Sequence, residues 1–215
     1  MDFYNGPADP TLPPMTALTT PPAPRTVCVY CASSDSAPPE YRAVARRLGE
    51  VLARQDIAIV YGGGAKGSMG ALADGALAHG GRVIGILPRF MADLEWGHRG
   101  LTELQLVEDL RVRKHRMLAA SDAAVALPGG SGTLEELLEA ITLKRLGLFL
   151  GPIVLVNTRD FFAPLLELLQ RAVAERFMDT RHLDMWQVVA TPDEVPRALA
   201  SAPAWHAESR AFAAL

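Results

Sequence analysis

Between residues 25 and 200 the chain alternates short unbroken apolar runs with longer stretches in which apolar residues recur every three or four positions. RTVCVYC (25–31), IAIVY (57–61), RVIGILP (82–88), ELQLVED (103–109), DAAVALP (122–128), PIVLVN (152–157) and WQVVA (186–190) read as strands. The helical periodicity predicts helices over 39–55, 68–80, 110–121, 133–147, 161–177 and 191–200, and 89–102 reads as an irregular loop. The strand runs do not alternate apolar with polar residues, so both faces of the sheet are expected to be covered, as in parallel sheets. Strand–helix alternation then predicts an α/β fold: a doubly wound, Rossmann-like parallel sheet with helices on both faces. No internal repeat or linker interrupts it, so 25–215 reads as one domain. Ligands of such sheets bind beyond the carboxyl ends of the strands.

Composition changes this picture little. The 215 residues are 49% hydrophobic and 21% charged, which suits a soluble protein with a sizeable core. A net charge of −3 argues against a nucleic-acid partner. No apolar run approaches the roughly 18–20 residues that cross a bilayer. Residues 1–24 are rich in Pro, Thr and Ala, without the basic start and apolar run of a signal peptide. They read as a disordered tail, and the cytoplasm is the expected location. Cys28 and Cys31 have C-x-x-C spacing. Within a strand, residues three apart face opposite sides about 10 Å away, so the pair reads as core thiols in a reducing compartment. Two cysteines cannot complete a zinc site, and no other cluster has metal-ligand spacing.

Two glycine-rich turns follow predicted strands. Gly62-Gly63-Gly64-Ala65-Lys66-Gly67 fits G-x-G-x-x-G. A dinucleotide fold also wants an acid at the end of the next strand, but that strand ends in Pro88 and Arg89. NAD is therefore disfavoured, and NADP stays open only through Arg89. The turn serves either close helix–sheet packing or one wall of a pocket. Gly129-Gly130-Ser131-Gly132-Thr133 carries the stronger signal. Bare backbone at a helix start, with its partial positive charge, suits an anion such as phosphate.

Glu136 has two readings. Thr133-Leu134-Glu135-Glu136 is a T-x-x-E capping box that would satisfy backbone N–H groups without any chemistry. Alternatively Glu136 is a reactive carboxylate beside a bound phosphate. Three glutamates (Glu135, Glu136, Glu139) near a phosphate would need cations to offset them. Arg111, Arg113, Lys114 and Arg116 are candidates, or else an ordinary solvated basic helix face.

LPGGSGTLEE resembles the P-G-G-x-G-T-x-x-E signature of the Lonely Guy (LOG) family, cytokinin-activating nucleotide phosphoribohydrolases often mislabelled lysine decarboxylases. VCVYCASS, VYGGGAKGSMG, VIGILP, EWGHRGLTEL and RKHRM resemble further family segments in the same order, over about residues 26–175. The resemblance implies Arg113 and Glu136 as catalytic residues. It implies Glu95, Lys114, Gly129, Gly130, Ser131, Gly132, Thr133 and Thr142 as substrate-binding, with Ser33 and Ser34 helping to hold the phosphate. The chain departs from the family pattern at Ala32, at Ser68, and at Leu110-Arg111. These departures leave the catalytic pair intact and base preference open.

The implied reaction is hydrolysis of the N-glycosidic bond of a nucleoside 5′-monophosphate, such as AMP or N6-isopentenyl-AMP, to free base and ribose 5-phosphate. It implies no cofactor and no metal. Glu136 would stabilise positive charge developing on the ribose and orient water, while Arg113 would hold Glu136 ionised by proximity. A decarboxylase using pyridoxal phosphate needs a lysine. The three lysines fit poorly: Lys66 lies in a glycine loop, Lys114 matches a nucleotide contact, and Lys144 reads as a helix flank. Two alternatives stay open, a broader nucleoside monophosphate nucleosidase for salvage and a carrier that binds without cleaving. The resemblance also implies a homodimer with sites near the interface, involving helices 133–147 and 110–121.

Overall fold

The computed structural model describes residues 24–94 and 97–212. The proline-rich segment, apart from Pro24, and Glu95 lie outside the described residues. Seven parallel strands make one sheet: β1 (Thr26–Tyr30), β2 (Ala58–Tyr61), β3 (Val83–Pro88), β4 (Glu103–Val107), β5 (Ala123–Ala126), β6 (Ile153–Val156) and β7 (Gln187–Val189). Their spatial order is β4-β3-β2-β1-β5-β6-β7. The chain steps outward from β1 to β4, then returns to lay β5 on the other side of β1. That reversal opens a crevice at the carboxyl ends of β1 and β5.

The apolar runs are continuous because both faces are covered. Along β1, Val27 and Val29 point into one buried layer with Leu48, Leu52 and Leu72. That layer is closed by α1 (Pro39–Arg54), α2 (Gly67–Leu77) and α7 (Val195–Ser201). Cys28 and Tyr30 point into the opposite layer with Met117, Leu137, Ile141 and Phe162. There α4 (Leu110–Ala119), α5 (Ser131–Arg145) and α6 (Ala163–Ala174) provide the cover. Cys31 packs in the first layer and Cys28 in the second, so the sheet separates the two free thiols.

Local differences from the sequence reading have physical causes. The loop expected over 89–102 begins with a short helix, α3 (Arg89–Asp93), too brief to show a period. Between α6 and β7 a 3-10 turn, Thr180–Met185, is held by a local box in which the Asp179 N–H donates to His182 Nδ1 at 3.0 Å. The helix expected from 133 starts two residues earlier. Gly130 is its N-cap, and the Leu134 N–H donates to the Gly130 carbonyl at 3.1 Å.

Candidate active site

The loops after β1, β2 and β5 meet at the crevice, and α4 leans over them. Together they enclose a cavity of about 670 Å³, within the usual range for small-molecule sites. Ser33 and Ser34 line it from the β1 loop, Gly62, Gly64 and Lys66 from the β2 loop, and Gly130 through Thr133 from the start of α5. Arg113, Lys114, Glu135 and Glu136 complete its charged wall.

Arg113 and Glu136 form the core of that wall. Arg113 Nη1 donates to Glu136 Oε1 at 3.1 Å, and its Nε donates to the Ile86 carbonyl at 3.1 Å. Both residues are buried, at 8% and 5% exposure, so water does not dilute their interaction. The guanidinium fits because residue 62 is glycine: a Cβ there would collide with it. Burial pushes the Glu136 carboxyl above its ordinary value, and the Arg113 guanidinium offsets this only in part. Arg113 thus favours the ionised carboxylate, as expected, against a larger opposing effect of burial. Loss of water around the carboxylate outweighs the nearby cation.

Lys114 lies beside this pair with two carboxylates of its own, Glu135 Oε1 at 2.6 Å and Glu139 Oε2 at 3.1 Å. Those hydrogen bonds raise its pKa. The basic stretch of α4 thus divides: Arg113 and Lys114 face the cavity, whereas Arg111 and Arg116 are exposed to solvent.

The capping box is not formed. With Gly130 as N-cap, Glu136 lies beyond the first turn of α5, and no side chain caps that helix start. The Glu136 carboxylate turns to Arg113 instead. The first turn, Ser131 through Thr133, lines the cavity, and its N–H groups carry the positive end of the helix dipole.

Of the residues singled out by sequence, Arg113, Glu136, Lys114, Ser33, Ser34, Gly130, Ser131, Gly132 and Thr133 surround one cavity. Gly129 lies behind it, where a side chain would strike Thr133. Thr142 is not on the cavity wall of its own chain. It is exposed, and its hydroxyl donates to the Leu138 carbonyl at 2.8 Å. Sequence reasoning did not assign Lys66, Met69, Leu87, Met91 or Leu110, all of which line the cavity. The β2 glycine turn was the available signal for Lys66 and Met69. The apolar residues look like core in sequence and carried none.

Lys144 is no helix flank. It is buried, its Nζ donates to the Gly151 carbonyl at 2.6 Å, and burial pulls its pKa from 10.5 down to about 8. It lies outside the cavity lining. Among the described residues no cluster of His, Cys, Asp and Glu could hold a metal ion, and no helix is long and apolar enough to cross a membrane.

Residues 69–199 match the family model described as "Possible lysine decarboxylase". The chain is 41% identical over 172 residues to the cytokinin riboside 5′-monophosphate phosphoribohydrolase of Rhodococcoides fascians, covering 78% of this chain and 87% of that protein. It is 41% identical over 153 residues to the Arabidopsis thaliana cytokinin riboside 5′-monophosphate phosphoribohydrolase LOG7, covering 71% of this chain and 70% of that one. Among solved structures, the molybdenum cofactor carrier protein of Chlamydomonas reinhardtii matches with a TM-score of 0.63 at 19% identity, over 82% of this chain and 96% of that one. At that identity the likeness is one of fold.

Proposed function

Because this chain belongs to the Lonely Guy family of cytokinin riboside 5′-monophosphate phosphoribohydrolases, we propose that it hydrolyses N6-substituted adenine nucleoside 5′-monophosphates to free base and ribose 5-phosphate. The observation that carries the mechanism is the buried Arg113–Glu136 pair on the wall of a cavity whose floor is an uncapped helix start. The 5′-phosphate is held by the first N–H groups of α5, Thr133, Ser33 and Ser34. Its binding energy positions the sugar. As the bond from C1′ to the base nitrogen breaks, the electron pair leaves with the base and positive charge builds on the ribose. The Glu136 carboxylate stabilises that charge and accepts a proton from the water that adds to C1′. The departing base is protonated in turn, so the reaction balances with water alone. Arg113 fixes the orientation of Glu136. The apolar side chains Met69, Leu87, Met91 and Leu110 suit the base and an alkyl group on N6. Glu95 is assigned a substrate contact in the same reading.

The test is incubation of purified protein with AMP and with N6-isopentenyladenosine monophosphate, with free base followed by chromatography and Glu136→Gln run alongside. Base release lost in the variant supports the proposal, and the ratio between the two nucleotides separates cytokinin production from general salvage. Binding without release by the wild type overturns it in favour of a carrier.

The same reading includes a homodimer and a cytoplasmic location. Leu138 and Thr142 on α5 and Leu146 at its C-cap recur at every fourth position, and the two leucines are 39% and 40% exposed. This strip supports a helix-to-helix contact between copies, through which Thr142 would reach the partner's cavity. Leu138→Asp with Leu146→Asp is expected to convert a dimer to a monomer in sedimentation; a monomeric wild type would refute it.

A further inference from the structure

Three cations line the cavity, and their surroundings differ. Arg113 is taken by Glu136, and Lys114 is held by both Glu135 and Glu139. With its carboxylates ionised, that cluster of five groups carries one negative charge too many. A 5′-phosphate, close to doubly charged at neutral pH, gains nothing from it and is repelled. The α5 N-terminus offers the equivalent of roughly half a positive charge, well short of what the phosphate brings.

Lys66 is the third cation. Among the described residues no carboxylate forms an ion pair with it, and its side chain is exposed at the cavity wall. Its position is set by backbone stitching. The Met69 N–H donates to the Ala32 carbonyl at 3.0 Å, and the Gly67 N–H donates to Asp35 Oδ1 at 2.8 Å. Gly67, at φ +60°, leaves no room for a Cβ against the backbone of Ser33 and Ser34. Residues 66–67 therefore abut the serine turn. The nearby carboxylate, Asp35, is already committed to Gly67 and to Arg42 at 3.7 Å. Because β2, β1 and β5 are adjacent in the sheet, the Lys66 loop, the serine turn and the glycine start of α5 stand side by side around one end of the cavity.

We infer that Lys66 is a phosphate-binding residue that selects 5′-monophosphates over the unphosphorylated ribosides. The inference rests on the phosphoribohydrolase reading for its substrate, but its ligand chemistry, a sugar phosphate monoester, can be tested separately. Division of labour follows: Lys66 neutralises the remote phosphate, while Arg113 and Lys114 keep the carboxylates in place around the ribose.

The experiment compares wild type, Lys66→Gln and Lys66→Arg. One arm measures turnover of N6-isopentenyladenosine monophosphate, and of the corresponding riboside. The other measures ribose 5-phosphate binding by calorimetry. A charge-assisted contact at a partly solvated site predicts that Lys66→Gln raises KM for the nucleotide about tenfold. Its kcat stays within about threefold, and ribose 5-phosphate affinity falls by a similar factor of about ten. Lys66→Arg stays near wild type, and the riboside is turned over equally by all three. Unchanged ribose 5-phosphate affinity in Lys66→Gln overturns the inference, as does an equal loss on nucleotide and riboside. A wild type that binds ribose 5-phosphate through Lys66 yet releases no base would uphold this inference and refute the hydrolase reading.

Discussion

Nη1 of Arg113, on α4, lies 3.1 Å from Oε1 of Glu136, on α5, although 23 residues separate them in the chain. Both are buried at the mouth of the crevice between β1 and β5. Glu136→Gln keeps the shape and removes the charge. It is expected to cost at least about 10²–10³ in kcat, the scale of losing one electrostatic contact to a transition state. Circular dichroism should show an unchanged fold. Arg113→Ala should lose activity and also stability, by about 3–5 kcal/mol, because it strands a buried carboxylate. An active Glu136→Gln enzyme would end its assignment as the catalytic group.

The pH dependence of kcat/KM follows from the same pair. Burial raises the Glu136 pKa above 4.5, and in the proposed mechanism the ionised form is the active one. The acid limb of the profile should therefore lie above 4.5. Glu135 also raises this pKa while Arg113 lowers it, so Glu135→Gln should move the limb down and Arg113→Gln should move the residual activity's limb up. The stability linkage has the opposite sense. The folded protein holds this proton more tightly than the unfolded chain, so the contribution is full below 4.5 and is lost as pH rises through the folded value. A limb at the ordinary carboxylate position in wild type would contradict the assignment.

Gly62→Ala tests whether the second glycine turn serves the site. The added methyl would overlap the Arg113 guanidinium, which must leave Glu136 or tilt off the Ile86 carbonyl. A fall in kcat of about tenfold or more is expected, since small misplacements at a reacting centre are costly. A wild-type kcat would mean that Arg113 has another stable position.

Lys144 offers a test remote from the chemistry. Its ammonium is buried under Trp205, whose indole N–H donates to the Lys144 carbonyl at 2.7 Å. Its folded pKa of about 8 lies below the ordinary 10.5, so the unfolded chain binds this proton more tightly. The destabilisation is full below about 8 and disappears as pH rises to 10.5. Integrated over that window it amounts to about 3 kcal/mol. Lys144→Met should abolish that rise in stability, as read by urea denaturation across the window, and should leave turnover unchanged.

The element types were legible because each rests on local spacing. Seven apolar runs and the helical periods between them follow from which faces are buried, and they sit within a few residues of their predicted bounds. The Gly129–Thr133 turn was legible for a related reason: bare backbone at a helix start is a short-range pattern. Arg113, Glu136, Ser33 and Ser34 were singled out by the family resemblance and not by spacing, because 23 residues separate the charged pair. T-x-x-E was ambiguous at this range. The same four residues serve a cap or a site, and the choice turned on α5 starting at Ser131.

The rest depends on contacts between distant parts of the chain. Thr142 shares a helix with Glu136, but the sheet behind α5 determines which side of that helix meets the cavity. Lys144 looks like a surface lysine until Trp205, 61 residues later, folds over it. Lys66 becomes a cavity residue only because β2 and β5 flank β1. Spacing along the chain specifies what each segment becomes. The order of strands in the sheet, set by burial of both faces at once, specifies which segments meet.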